Sequence, residues 1–201
     1  MGPEEFPPTT HRLGVGEHPH RGFETVTIMY HGKVAHRDST GNGGVIGPGD
    51  VQWMTAASGV VHEELHEKEF AEKGGLLEGV QLWVNLPKAY KMTAPRYQTL
   101  LGSGIPTVDL GEGSGRLRVI AGEFRGGKGP AKTFSPVHLY DLQLAAGHRT
   151  ELDLPEGFNS SLFVLHGQVV VNGSQTVDQV QIGLLGQRGE RVVLEAKQDA
   201  T

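Results

Sequence analysis

Cysteine is absent from the 201 residues. This excludes a disulfide framework, thiolate-ligated zinc and thiol catalysis, and leaves only nitrogen and oxygen as protein ligands for a metal. No apolar run approaches the roughly 20 residues needed to cross a bilayer, so no membrane partner is expected. Positive charge is not in excess either. The formal net charge is −5, which argues against a basic nucleic-acid-binding stripe, so no direct nucleic-acid partner is expected. The opening stretch MGPEEFPPTT has neither the basic segment nor the apolar segment of a secretory signal, and the expectation is a cytoplasmic protein. With 37% hydrophobic and 20% charged residues, the composition is that of a globular chain, long enough for one large or two small β-domains.

Two residue types are abundant. Glycine supplies 30 of the 201 residues, about twice its usual share of roughly 7%, as in folds with many short strands and tight turns. Histidine supplies 10, of which seven (His11, His18, His20, His31, His36, His62 and His66) fall in the first 66 residues.

The prevailing hydrophobic period is two, the strand period. Glu24 to Tyr30 predicts a strand that turns at His31-Gly32 into a hairpin partner over Lys33 to Asp38. Gly47-Pro48-Gly49-Asp50 predicts a tight turn. Short strands are expected over 51–55 and 60–64, and a longer one over 80–86. Residues 65–73 read equally as one or two helical turns or as a solvated excursion, and 87–106 as a connecting segment. In the second half, 117–121, 139–144, 161–165, 168–171 and 191–195 predict strands. The word Ile28-Met29-Tyr30-His31-Gly32-Lys33-Val34 is echoed by Phe163-Val164-Leu165-His166-Gly167-Gln168-Val169, with the glycines 135 residues apart, which suggests two similar β-domains.

His18, His20 and Glu24 share strand parity, as do His62 and Glu64. If these strands are neighbours, three imidazoles and a carboxylate converge, a donor set that suits iron, copper, nickel, manganese or zinc. Four protein ligands leave up to two octahedral positions open, as a catalytic metal requires. Glu63 has the opposite parity and is expected to point away. An isolated H-x-H is common and carries little by itself. Here, however, His18-Pro19-His20-Arg21-Gly22-Phe23-Glu24 is followed about forty residues later by Gly59-Val60-Val61-His62, the two-part cupin pattern.

The run from His18 to Val26 resembles the signature of the pirin family. So do Gly49-Asp50-Val51-Gln52-Trp53-Met54-Thr55-Ala56, Gly59 to Glu64, and Gln81-Leu82-Trp83-Val84-Asn85-Leu86-Pro87. The resemblance implies an all-β bicupin of the cupin superfamily, two antiparallel jelly-roll β-barrels. Residues 1–106 would form the metal-binding domain and 107–201 a cupin-like domain without metal. With Gly32 set against Gly167, Asp153, Pro155 and Asn159 stand where His18, His20 and Glu24 would, and cannot rebuild the site.

The resemblance implies His18, His20, His62 and Glu64 as ligands of one divalent transition metal, Fe(II) first, with Cu, Ni, Mn and Zn compatible. It implies Glu24 as a group that orients a ligand imidazole or bound water, although many other cupins use that acid as the ligand, and Gln81 and Met54 as residues of the pocket beside the metal, with plain barrel packing as the other reading. His36 and His66 are assigned to the surface or to support of the ligands, and Trp53 and Trp83 to the core. The implied activity is that of a quercetin 2,3-dioxygenase, with an aromatic small molecule and dioxygen as substrates and Glu64, or a metal-bound water, as the base that takes the flavonol 3-hydroxyl proton. The other role the family implies is that of an iron-dependent partner of a transcription factor or metabolic enzyme. Family members usually carry more residues before H-x-H and after the last strand. Only seventeen residues precede His18, and Pro3, Pro7, Pro8 and Gly14 among them are poor strand material. Barrels incomplete at both ends are therefore expected, as a monomer or a homodimer paired through an open edge.

Overall fold

The computed structural model describes residues 2–201 and divides into two compact units. The first comprises residues 2–105, Ile120–Gly122 and Gly129–His138; the second comprises Pro106–Val119, Glu123–Lys128 and Leu139–Thr201.

The first unit runs β1 (Glu4–Phe6), β2 (Gly14–His20), β3 (Phe23–His31), β4 (Val34–Asp38), β5 (Gly43–Ile46), β6 (Val51–Thr55), β7 (Val60–His66), α1 (Lys68–Lys73), β8 (Gly75–Asn85) and β9 (Arg96–Leu100). Two antiparallel sheets result, in the orders β1-β8-β3-β6-β9 and β2-β7-β4-β5. Consecutive strands repeatedly change sheet, as in a jelly roll. The predicted hairpin at Gly32 is therefore a corner: β3 pairs with β6 and β8, whereas β4 pairs with β5 and β7. Gly32 turns it at φ +75°, and a Cβ there would lie 2.6 Å from Leu77 Cδ1.

Other boundaries differ from the sequence reading. β7 runs on to His66, and α1 follows, capped by the Glu67 carboxylate on the Glu69 and Phe70 amides. The segment expected to be only a connection contains β9, which completes the first sheet beside β6. The proline-rich opening does hold strands. β1 fits as a three-residue edge beside β8, before Pro7 and Pro8, and β2 includes Gly14.

The interior between the two sheets is divided. Met29, Val34, Ile46 and Leu77 form an apolar cluster with Phe6 and Phe70 packed against it. Burying such side chains stabilises by about 1.5–3 kcal/mol each. The remainder of the interior is polar: Thr25, Thr27, Gln52 and His62 are buried.

The second unit runs β10 (Thr107–Asp109), β11 (Gly115–Ala121), β12 (Glu123–Phe124), β13 (Gly127–Lys128), β14 (Leu139–Leu144), β15 (Arg149–Asp153), β16 (Ser161–Val164), β17 (Gln168–Val171), β18 (Gln175–Asp178), β19 (Gln181–Leu184) and β20 (Arg191–Ala196). Its sheets are β10-β11-β14, β12-β13, β15-β20-β17-β18 and β16-β19. The echoed word forms the same corner. β16 pairs with β19, β17 pairs with β18 and β20, and Gly167 turns between them at φ +81°.

Candidate metal centre

Three adjacent strands present the chemistry. β7 lies between β2 and β4, with His62 opposite His18 on one side and Asp38 on the other. His36 lies opposite Glu64. A register shift between Val15 and His18 leads into the H-x-H segment. Side chains of one pleat face thus gather four imidazoles and two carboxylates.

His18 Nε2 and His20 Nε2 face each other at 3.0 Å. His18 Nδ1 donates to the Gly16 carbonyl at 2.8 Å, which leaves Nε2 with its lone pair free. The His62 ring centroid lies 4.3 Å from that of His18 and 4.9 Å from that of His20. Candidate donor atoms of His18, His20 and His62 lie within 4.8 Å of one another, and so do those of His36, His62 and Glu64. His62 therefore joins the two groups. Its Nε2 is buried with no hydrogen-bond partner among the described residues. An orphaned buried nitrogen inside a cluster of neutral donors is what a metal-ligand site leaves behind.

Glu64 is gripped from the facing sheet. Its Oε1 accepts from Gln52 Nε2 at 3.1 Å, Gln81 Nε2 at 3.2 Å and Thr27 Oγ1 at 3.4 Å; its Oε2 accepts from Gln81 Nε2 at 2.9 Å. Trp83 Nε1 donates to Gln81 Oε1 at 3.2 Å and so fixes which way that amide points. Thr27, Gln52 and Gln81 are in register on three neighbouring strands, which puts all three on one face.

Burial pushes the His62 imidazole down to about 3, and the nearby His18, His36 and His20 rings push in the same direction. Burial likewise lowers His20, with His18 adding to it, and lowers His36 against the opposing pull of Asp38. Burial would raise Asp38, but hydrogen bonds from Thr40 and Asn42 outweigh it and hold the carboxyl below its usual value. Neutral imidazoles beside anionic carboxylates are the protonation states a divalent metal needs.

The structure brings His18 and His20 to His62, and Glu64 to His62 beside His36. Glu63 points the other way and pairs with Arg37 at 3.3 Å. Glu24 is not brought to the site. The chain turns a corner at Gly22 (φ +79°), so strand parity does not carry from His20 to Glu24. Glu24 lies in register with Thr55, out of phase with the Thr27, Gln52 and Gln81 row, and accepts from Thr55 Oγ1 at 2.6 Å. Gln81 spends its amide on Glu64. Met54 is buried with Ala56, Val60 and Tyr97.

His36 and His66 are not surface residues: each is 4% exposed. His66 packs edge-on against Phe6 and Phe70. His36 belongs to the centre, stacked on Tyr97 at 4.7 Å. Its alternation with Asp38 along β4, opposite Glu64 and His62, was the available signal. Trp53 is fully buried, whereas Trp83 is 66% exposed, stacked on Phe23 at 4.7 Å and edge-on to His20 at 5.4 Å.

The fold and this cluster define a bicupin with a histidine–carboxylate centre in its first half. The family model described as Pirin matches residues 1–84, and that of the Pirin C-terminal cupin domain matches residues 139–201. The chain belongs to the pirin family. A Pseudomonas aeruginosa protein named "putative quercetin 2,3-dioxygenase" is 56% identical over 98% of this chain and 69% of its own length. A pirin-like protein of Caulobacter vibrioides is 43% identical over 93% of this chain and 66% of its own. The crystal structure of a quercetin 2,3-dioxygenase from Acinetobacter baumannii superposes with a TM-score of 0.96 at 51% identity, covering 99% of this chain and 69% of that one. The chain thus spans about two thirds of the length of these relatives. No helix among the described residues is long and apolar enough to cross a membrane.

Proposed function

We propose that this chain is a metal-dependent dioxygenase of pirin type acting on a flavonol such as quercetin, with His18, His20, His62 and Glu64 holding one divalent metal, Fe(II) first. The observation that carries the reading is the buried, partnerless His62 Nε2 among neighbouring imidazoles and a carboxylate. The names of the Pseudomonas and Acinetobacter relatives support the reaction class. A bound metal would supply Lewis acidity toward a substrate oxygen anion and a redox-active centre for dioxygen.

The protein's own residues do the rest. The Gly16 carbonyl orients His18. Gln52, Gln81 and Thr27 hold the Glu64 carboxylate, and Oε2, with the fewest donors, would be the atom to take the 3-hydroxyl proton. The exposed Trp83 indole, backed by Phe23, offers a flat apolar surface beside His20 for an aromatic ring.

The test is metal analysis of the purified protein, followed by quercetin loss, dioxygen uptake and carbon monoxide release with iron, copper, nickel and manganese in turn. Dioxygen-dependent quercetin loss with one metal per chain is expected. No turnover with any of the four removes the dioxygenase reading, and stoichiometric iron without turnover leaves the regulatory role.

A further inference from the structure

We infer that His36 and Asp38 form a relay that fixes His62 in its Nδ1–H tautomer, so that Nε2 is the only nitrogen His62 can offer to a metal. The inference rests on the reading of His62 as a ligand, and it follows from placing each proton in turn. Glu64, as a carboxylate, only accepts hydrogen bonds, so the Gln52 atom 3.1 Å from it must be the amide nitrogen. The Tyr97 hydroxyl donates to Gln52 Oε1 at 3.2 Å, which agrees with that orientation. The same amide nitrogen lies 3.4 Å from His36 Nδ1. An amide NH2 has only hydrogens to offer, so His36 Nδ1 is the acceptor there.

The neutral His36 ring must then carry its proton on Nε2, the atom 3.5 Å from Asp38 Oδ2. This second contact is consistent: Asp38 Oδ1 already accepts from Thr40 N at 2.8 Å, Thr40 Oγ1 at 2.7 Å and Asn42 N at 3.0 Å, which leaves Oδ2 turned to His36. His36 Nδ1 has one lone pair, which the Gln52 amide at 3.4 Å and the closer His62 Nδ1 at 3.2 Å share as a bifurcated acceptor, with His62 Nδ1 as the nearer donor. The His62 Nε2 lone pair is then bare, and Nε2 is one of the buried side-chain atoms without a hydrogen-bond partner among the described residues. The stack of His36 on Tyr97 holds the ring plane that the chain of contacts needs.

Two ligand histidines thus reach the same tautomer by different means. A backbone carbonyl does it for His18, and a histidine–aspartate pair does it for His62. His36 and Asp38 are positioning residues, acting through His62.

The primary test uses the metal-free wild-type protein and records histidine 15N–1H correlations above pH 7. His62 is expected as the Nδ1–H tautomer and His36 as Nε2–H. An Nε2–H tautomer at His62 overturns the inference whatever the metal or substrate proves to be. The second test titrates Co(II) as a spectroscopic probe into wild type, His36→Leu, His36→Asn and Asp38→Asn. His36→Leu is expected to weaken Co(II) by about 10- to 100-fold and to mix the His62 tautomers. His36→Asn, whose Oδ1 stands near the lost Nδ1, is expected to restore most of both. Unchanged tautomer and Co(II) affinity in His36→Leu overturns the inference, and so does Asn behaving like Leu while both variants remain folded. A wild type that binds no Co(II) yet shows the Nδ1–H signal leaves the relay standing and fails the metal reading instead.

Discussion

The two units turn the same corner, at Gly32 and at Gly167, yet fill their interiors differently. Behind the first corner the space between the sheets holds His62, His36, Gln52 and Thr27. In the second unit a continuous cluster includes Leu117, Leu152, Val169, Val177 and Leu194. A buried polar group without a partner costs about 1–3 kcal/mol, so a polar interior must close its own hydrogen-bond network or keep a lone pair for a ligand. The first unit does both: Gln52 and Gln81 satisfy the Glu64 carboxylate, and His62 Nε2 is among the buried atoms left without a hydrogen-bond partner among the described residues. The second interior is mostly apolar, with few buried polar groups, among them Asp141, which pairs with Arg118 at 3.2 Å. Two units that turn the same corner therefore need not fill their interiors alike.

The largest expected effect removes the leftover donor. His62→Ala should take the metal content from about one per chain to near zero, read by elemental analysis, and lower quercetin turnover by more than about 100-fold. A variant with full metal content would contradict the proposed ligand set and erase the functional half of the contrast. The complementary change belongs to the other unit. Leu117 is fully buried in the apolar cluster, and Leu117→Ala should cost about 2–5 kcal/mol in denaturant unfolding while the metal content per folded chain stays as in wild type. Loss of metal in that variant would mean the two interiors are coupled.

Much of this was legible in the sequence for a physical reason: period-two patterns and positive-φ glycines are local. The word around Gly32 and its echo at Gly167 located two corners. Parity along one strand put His62 and Glu64 on one face and Glu63 on the other, as the Arg37 pair shows. What parity cannot see is a change of sheet. It extended a face from His20 across Gly22 to Glu24, where the chain in fact leaves β2 for β3. It likewise read a hairpin at Gly32. For His36 the sequence left surface and support of the ligands both open, because the choice depends on β4 lying against β7, a long-range pairing. Trp83 was assigned to the core with Trp53 but is 66% exposed, since alternation along a strand does not say which face meets water.

Acid separates the two interiors by a smaller amount. The folded His62 lies near 3 against an ordinary 6.5, so its ring is neutral in both states above about pH 6.5. Below that, the unfolded chain takes up the proton and the folded one does not, and stability falls as pH falls toward 3. His20 and His36, lowered for the same reason, act in the same direction. Metal-free protein should lose on the order of 1–2 kcal/mol between pH 7.5 and pH 5, read by urea unfolding. His62→Gln should flatten that slope, whereas Leu117→Ala should shift the whole curve without changing it. A slope unaltered by His62→Gln would assign the acid sensitivity elsewhere.

The smallest expected effect concerns the rim. Trp83 stands 66% exposed beside His20, with its indole N–H spent on Gln81 and one face on Phe23. If a flavonol ring rests on the free face, Trp83→Ala removes contact area that is present before and during reaction. KM for quercetin should then rise about fivefold, roughly 1 kcal/mol, with kcat and metal content unchanged. Trp83→Phe keeps a flat ring but loses the hydrogen bond that orients Gln81. It should restore KM while loosening the hold on Glu64, seen as a modest fall in kcat. A kcat loss in Trp83→Ala with KM unchanged would make the indole a support for Glu64 rather than a surface for substrate.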